Sequence, residues 1–361
     1  SIYIYMKIGI IGSGGREHAI CTFLKTSNKV DKIYCFPGNA GTSFIAENIN
    51  VNLDNFNEIE DKIKKLEIDI VIVGPEKPLV DGIVDFFEKN KIKVFGPNKI
   101  SSQLEGSKIF TKKLCEKYKI PTANFGIFEN KVKSLKFLKD CKFPIVVKAD
   151  GLAAGKGVTI CKTKKQVLSV SSKIFNGKFK TSKKLVLEEF LEGEEASYFL
   201  IVDKNNFKFF GSAQDHKRVK ERDKGPNTGG MGAYSPALII NRSIEKKIIN
   251  RIVLPTLSAL KKRESPYSGF LYVGLMIKDN NPYLIEYNVR MGDPECQVIL
   301  PRLKTDFISI IENCVKNRLK KSKIIWKKEK SMTIVLCTKG YPGNYKKRIK
   351  IENLEKIQLT K

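Results

Sequence analysis

Over residues 6–100, short apolar runs alternate with apolar positions at helical spacing. Lys7–Ile11, Lys32–Phe36, Ile68–Val73 and Lys93–Phe95 are rich in Ile and Val and run into Gly or Pro, the pattern of buried parallel strands. Between them, Glu17–Leu24, Phe56–Leu66 and Leu79–Lys89 carry helix-spaced apolar residues. This βα alternation predicts an open, doubly wound parallel sheet, closed by the turn Gly96–Pro97–Asn98.

From residue 101 the pattern becomes α+β. A helix over Ser107–Tyr118 stops before Pro121, and strands Ile145–Lys148 and Val158–Cys161 bracket a glycine-rich loop. Leu185–Phe190 leads into an acidic turn, and the polar stretch 212–235 reads as a loop. A helix near 243–262 precedes two strands, Gly269–Ile277 and Tyr283–Val289, joined by the turn Asp279–Asn280–Asn281–Pro282. A helix near 305–319, a basic linker around Lys320–Lys330 and a third unit opening at Met332–Cys337 complete the chain. The expected domains are 1–100, 101–325 and 326–361.

Composition narrows the class. The 361 residues are 42% hydrophobic, enough for two or three domains with a real core. No apolar run approaches the roughly 18–20 residues that cross a bilayer, and Ser1–Ile4 lacks the features of a signal peptide. Met6 is a natural start, with Ser1–Tyr5 an upstream addition; a soluble, cytoplasmic protein is expected. The eight cysteines form no Cys-x-x-Cys pair, and His18 and His216 are the only histidines, which excludes a zinc framework and a small disulfide scaffold. The net charge of +28 would suit nucleic acid if it were gathered in one arm. The lysines are instead spread along the chain, so nucleic acid is not an expected partner. The general positive field favours anionic small molecules.

Five segments carry candidate chemistry. The first, Gly12–Ser13–Gly14–Gly15–Arg16–Glu17–His18, follows a strand and opens a helix. Glycines there let backbone N–H groups approach a phosphate at a helix N-terminus; Gly12, Gly14 and Gly15 are candidates, and Arg16 adds a charge. Glu17 stands where a dinucleotide fingerprint needs its third glycine, which disfavours a nicotinamide cofactor. The second, Lys148–Ala149–Asp150–Gly151–Leu152–Ala153–Ala154–Gly155–Lys156–Gly157–Val158, fails the P-loop spacing and reads as a glycine flap between strands. Lys148, ending an apolar strand, is costly to bury without an anion.

The third is Leu187–Glu188–Glu189–Phe190–Leu191–Glu192–Gly193–Glu194–Glu195, a strand entering an acidic turn. It can offer backbone groups to an adenine edge and a carboxylate to a ribose. In the fourth, Tyr283–Arg290, period-two alternation puts Glu286, Asn288 and Arg290 on one face. Two oxygen ligands and a guanidinium suit a magnesium ion bridging phosphates, with Arg holding an anionic substrate. The fifth, Ser212–Arg218 followed by Gly225–Gly232, has the composition of a substrate lid. Taken singly, a solvated turn would account for the third, an ordinary exposed strand face is the plain alternative for the fourth, and a surface loop would account for the fifth.

Taken together, these residues resemble a known family. Gly12–His18, Leu104–Glu105–Gly106–Ser107–Lys108, Lys148–Val158, Gln214–Arg218, Pro226–Gly232 and Arg290–Met291–Gly292–Asp293–Pro294–Glu295 are similar, in order, to the motifs of phosphoribosylamine–glycine ligases, a family of ATP-grasp enzymes. The resemblance runs from Met6 to about Gly343. It implies an ATP-grasp domain with a mobile lid over about 122–192, ATP lying between two antiparallel-sheet subdomains, and a phosphoribosyl group against the N-terminal unit. The implied substrates are ATP, glycine and 5-phosphoribosylamine, and the implied metal is Mg2+ or Mn2+. By motif, Lys108, Lys148, Gly151, Gly155, Lys156 and Gly157 would hold ATP phosphates, and Glu188, Glu189, Phe190, Leu191 and Glu195 the adenosine. Glu286 and Asn288 would bind metal, and Asp215 and Arg290 would position substrate. A monomer is expected. Met291 stands where the family usually has Leu or Phe, a mild apolar exchange. The family's C-terminal domain continues past the point corresponding to Lys361, so the third unit is expected to be incomplete and to expose a sheet edge. Another ATP-grasp carboxylate–amine ligase, a basic nucleic-acid-binding protein and a dehydrogenase are the competing readings.

Overall fold

The computed structural model describes residues 5–153, 155–180 and 183–357. Residues 1–4 of the expected upstream addition, and Ala154 in the glycine flap, lie outside the described residues. The N-terminal sheet is parallel, with strands β1 (Met6–Gly12), β2 (Val30–Pro37), β3 (Glu47–Asn48), β4 (Ile70–Val73) and β5 (Val94–Phe95) in the order β3-β2-β1-β4-β5. Four of these are the apolar runs read above. Their alternate residues feed two cores. Ile8, Ile10, Ile70 and Ile72 pack with Ile20 and Leu24 of the helix Gly15–Lys25. Ile11, Val71 and Val73 pack with Ile59, Ile63 and Phe87 from helices Phe56–Lys65 and Ile83–Lys89. Burial on both faces is why these strands are continuously apolar instead of alternating. The single helix expected over Leu79–Lys89 is two, Glu76–Asp81 and Ile83–Lys89, parted at Gly82 with φ +95°, a conformation open to glycine.

Strands β6 (Phe125–Phe128), β7 (Ile145–Ala149), β8 (Val158–Cys161) and β9 (Leu185–Glu189) form an antiparallel sheet, β6-β9-β7-β8. Helices Lys131–Phe137 and Lys164–Phe175 cover it, and Val147, Val167, Ile174 and Leu187 belong to a small core of its own. The largest sheet comprises β10 (Glu194–Asp203), β11 (Phe207–Lys220), β12 (Lys224–Ser235), β13 (Ser268–Lys278), β14 (Asn281–Asn288) and β15 (Ser331–Ile334), ordered β14-β13-β10-β11-β12-β15.

That sheet corrects one expectation. Residues 212–235 are no loop: apart from a tip at 221–223, they belong to β11 and β12, paired from Gln214–Tyr234 out to Lys220–Lys224 through two register shifts. Backbone pairing to β10 on one side and β15 on the other overrides the weak strand preference of Gly and Asn. The β13–β14 turn is also tighter than expected. Asp279 and Asn280 alone have positive φ, as a two-residue hairpin requires, and Asn281 and Pro282 are already in β14. The basic stretch after residue 320 is anchored by Trp326, whose ring lies 5.5 Å from Phe210. No described helix is long and apolar enough to cross a membrane.

The seam between the N-terminal sheet and the rest is organised by Glu17, which is fully buried. Its carboxylate accepts hydrogen bonds from the Gly14 amide at 2.9 Å and from Arg16 Nε and Nη2 at 3.0 and 2.8 Å. Arg16 Nη1 donates to the Met291 carbonyl, and the Arg16 amide to Asp293. A Cβ at Gly12, Gly14 or Gly74 would meet the Glu17 side chain closer than real Cβ contacts allow. Removing one partner of such a buried pair leaves the other charge uncompensated. Glu17→Gln is therefore expected to destabilise the protein by about 3–5 kcal/mol, read as a lowered unfolding midpoint. The double variant Arg16→Met/Glu17→Gln should lose less than Glu17→Gln alone. A Glu17→Gln midpoint equal to that of the parent would contradict this account of the seam.

Candidate functional site

Strand β14 delivers the face read from the sequence. Gly274 pairs with Glu286 while Leu275 pairs with Leu284, so Ile285 is an extra residue in the register, a bulge that re-aims side chains beside a site. Beyond it the alternation expected for Glu286 and Asn288 holds. The half-buried Glu286 carboxylate has no hydrogen-bond or ion-pair partner among the described residues. Burial raises its pKa, but Lys217, Lys148, Lys108 and Arg290 outweigh burial and hold it below the ordinary carboxylate value. Asn288 Oδ1 accepts from Arg290 Nη2 at 3.3 Å. An ionised carboxylate and an amide oxygen are hard donors that fit Mg2+ or Mn2+ better than a soft metal. Among the described residues no group of three or more His, Cys, Asp or Glu side chains forms a metal cage. The donor set therefore suits an ion that keeps waters and takes phosphate oxygens.

Arg290 is already paired. Its Nη2 lies 2.8 Å from Glu105 Oε1 and its Nε 3.3 Å from Glu76 Oε2. Glu105 Oε2 accepts the Val289 amide at 2.8 Å. Burial opposes the guanidinium charge, but Glu105 and Glu76 more than offset it and push the Arg290 pKa up. Arg290 is thus fixed in place, with part of its charge compensated.

A second cluster sits on the small sheet and the helix Lys108–Tyr118. Glu188 lies between two lysines, with Oε1 3.0 Å from Lys112 Nζ and Oε2 3.0 Å from Lys148 Nζ; all three side chains are buried. Burial raises the Glu188 pKa, but Lys148 and Lys112 outweigh it and bring it below the usual range. Lys108 Nζ donates to the Gly151 carbonyl at 3.0 Å, and burial lowers its pKa. Asp150 Oδ1 accepts from the Ser107 hydroxyl and the Ile109 amide, at the start of that helix, so the first residues of the flap rest on the helix N-terminus. The flap itself is the expected connection between β7 and β8, closed by Ala149 N to Gly157 O and Lys156 N to Ala153 O. Gly151 and Gly155 take positive φ, and nothing lies within 4 Å of a Cβ placed at Gly155.

A third group comes from β10, β11 and the segment after β14. Asp215 and Lys217, two apart on β11, border one pocket with Glu195, Gly274 and Glu286. Lys217 Nζ lies 3.4 Å from Glu195 Oε2. Burial raises the Asp215 pKa. Burial also pushes the Glu295 carboxyl up to about 7, with Asp215 adding to the shift. At the end of β9, Glu189 pairs with Asn124 through both backbone and side chain, and Phe190, which follows it, is exposed.

The N-terminal loop differs from expectation in one respect. Arg16 is buried, and its guanidinium is committed to Glu17 and the Met291 carbonyl, so it is not free for a phosphate. The Gly14 and Arg16 amides are also engaged. The amide of Gly15, first in its helix, is one of the donors that helices leave without an internal partner.

The structure thus brings Glu286, Arg290, Lys108, Lys148 and Asp215 into one charge-coupled cluster, with Asn288 hydrogen-bonded to Arg290. Sequence reading gave no role to four further charged residues of this region: Glu76, Glu105, Lys112 and Lys217. Two of them left a signal. Lys112 is four residues after Lys108 on one helix face, and Lys217 two after Asp215 on one strand face. Glu76 and Glu105 reach Arg290 across 214 and 185 positions, counted from their numbers, and no local pattern could pair them.

Known proteins match this chain along most of its length. Residues 6–105 match the family model described as phosphoribosylglycinamide synthetase, N domain, and residues 106–296 that described as phosphoribosylglycinamide synthetase, ATP-grasp (A) domain. The chain is 45% identical over 354 residues to the phosphoribosylamine–glycine ligase of Brucella melitensis, covering 98% of this chain and 83% of that protein. It is also 45% identical over 358 residues to the phosphoribosylamine–glycine ligase of Caldanaerobacter subterraneus, covering 98% and 85%. The crystal structure of phosphoribosylamine–glycine ligase from Thermotoga maritima superposes with a TM-score of 0.83 at 34% identity, covering 94% of this chain and 82% of that one. The biotin carboxylase domain of Hydrogenobacter thermophilus 2-oxoglutarate carboxylase, solved with ADP and magnesium, shares the fold alone, with a TM-score of 0.70 at 19% identity over 91% and 74% of the two chains. With a doubly wound N-terminal sheet, two antiparallel sheets behind it and this match along nearly its whole length, the chain belongs to the phosphoribosylglycinamide synthetase family of ATP-grasp ligases.

Proposed function

We propose that this chain joins glycine to 5-phosphoribosylamine with ATP, giving glycinamide ribonucleotide, ADP and phosphate in purine biosynthesis. A glycine carboxylate oxygen forms a bond to the γ-phosphorus, the bond to the β,γ-bridging oxygen breaks, and ADP leaves. The amine of phosphoribosylamine then bonds to the glycyl carbonyl carbon, and phosphate departs. The first step turns a poor leaving oxygen into a good one. It demands mainly alignment and charge neutralisation.

This chain's residues divide that work. Lys148 and Lys108 meet the ATP phosphates, and the flap from Gly151 through Gly155, Lys156 and Gly157 covers them; Lys108 exchanges the Gly151 carbonyl for phosphate oxygen. Glu189, Phe190 and Leu191 face the adenine with backbone groups, and Glu195 the ribose. The Glu188 carboxylate, engaged by two lysines, serves as their counter-ion. Glu286 and Asn288 hold Mg2+ or Mn2+, which when bound adds positive charge against the phosphates. Arg290, braced by Glu76 and Glu105, orients an anionic substrate group, and Asp215 faces the substrate amine. The amides of the Gly12–Gly15 loop, rather than Arg16, receive the phosphoribosyl phosphate. The working units are those read above: 1–100, 101–325 with a lid over about 122–192, and 326–361. The same reading makes the protein a cytoplasmic monomer that engages neither nucleic acid nor membrane.

One observation carries this assignment of roles. Glu286 has no hydrogen-bond or ion-pair partner among the described residues, and the charges of Lys217, Lys148, Lys108 and Arg290 hold its carboxyl below the ordinary value, which suits a carboxylate waiting for a metal–phosphate ligand. The purified chain is expected to turn ATP over to ADP continuously only when glycine and phosphoribosylamine are both present. Turnover with another carboxylic acid and none with glycine would replace the substrate assignment. Glu286→Ala should cut metal-dependent ADP formation by about a hundredfold or more, with an unchanged circular dichroism spectrum. Near-parental turnover would remove Glu286 from the metal site.

A further inference from the structure

Two buried lysines share one buried carboxylate in the cleft, and only one of them has been given a task. Neutralising Glu188 takes a single cation; a second buried ammonium adds a desolvation penalty without balancing any further charge in the triad. Lys112 is nonetheless 3% exposed, with Nζ 3.0 Å from Glu188 Oε1 and 2.7 Å from Thr122 Oγ1, and 5.3 Å from the centre of the Phe125 ring. Its Nζ is thus engaged by Glu188 and Thr122 and lies beside the Phe125 ring. Thr122 Oγ1 in turn donates to the Leu284 carbonyl at 2.7 Å, and the Leu284 amide to the Pro121 carbonyl at 2.8 Å. A continuous polar chain therefore runs from β14, two residues before Glu286, through Thr122 and Lys112 to Glu188 and the Lys148 ammonium.

The elements joined by this chain differ in attachment. Lys148 and Glu188 stand on β7 and β9 of the small sheet, which has its own core, whereas Lys112 belongs to a helix contributing Leu114 and Cys115 to the main core. Without the tie, the position of the Lys148 ammonium relative to β14 would depend on how the small sheet sits.

We propose that Lys112 is a positioning residue for ATP, holding Lys148 through Glu188 and registering it against β14 through Thr122. The proposal rests on the reading that Lys148 contacts ATP phosphates. The excess positive charge of the triad is then met by the incoming phosphates, which explains why a second lysine is kept.

The test compares the affinities of the full chain for ATP with magnesium and for adenosine, which has no phosphate, by equilibrium titration. Lys112→Met is expected to weaken ATP by about tenfold and to leave adenosine unchanged. On a Glu188→Gln background the same change should add little, because the route through Glu188 is already cut. Thr122→Val, which alters no charge, should weaken ATP selectively by roughly threefold, and it decides the matter if Lys112→Met fails to fold. Equal weakening of ATP and adenosine, no weakening of either, or full additivity with Glu188→Gln would each overturn the proposal. A parent chain that binds ATP but makes no ADP with glycine and phosphoribosylamine together would sink the ligase assignment and leave this proposal standing. A parent that binds no ATP would sink both, and only that result removes the ATP reading.

Discussion

Burying charge is expensive, and the structure places most of its buried charge at the junctions between sheets. Glu188 between Lys112 and Lys148, Arg290 between Glu76 and Glu105, and Glu17 against Arg16 each satisfy a group that could not otherwise leave water. These ion pairs contribute little net stability over apolar packing of the same volume. They fix direction instead. Each holds a cation or a carboxylate at one spot along the cleft, with its charge partly but not wholly cancelled. The uncancelled remainder converges on Glu286, which alone among these groups has no close partner in the described residues.

The same logic explains the glycine-rich loop after β1. Its sequence resembles a phosphate cradle, yet the group nearest Gly12 and Gly14 is a carboxylate from the chain itself. Glu17 takes the Gly14 amide and the Arg16 guanidinium, and the loop opens towards a ligand only through what remains. The residue that broke the dinucleotide fingerprint is the one that organises the loop.

Much of the fold was legible because the periodicities were strong. Strands buried on both faces gave unbroken Ile and Val runs, and the β7–β8 flap was bracketed by two such runs. The β11–β12 hairpin was misread because its outer half is built from Lys, Gly and Asn, whose strand state is imposed by neighbours distant in sequence. β6 and the helix Lys131–Phe137 were missed because each is short, and a short element carries too few turns or alternations to show a period. Within the site, Glu286 and Asn288 could be placed on one face because a strand enforces it, whereas Arg290 lies two residues past the end of β14. The partners that orient them come from other elements, and no spacing rule links Glu105 or Glu76 to Arg290.

The space around Glu17 has a consequence for how the chain can vary. Three glycines, at 12, 14 and 74, leave room for that one side chain. A methyl group at any of them collides with it, and a shorter side chain at 17 opens a void against all three. The glutamate and the glycines are interdependent: a side chain at 12, 14 or 74 would compete with Glu17 for the same space, and at 12 the φ of +127° is a second, separate demand for glycine.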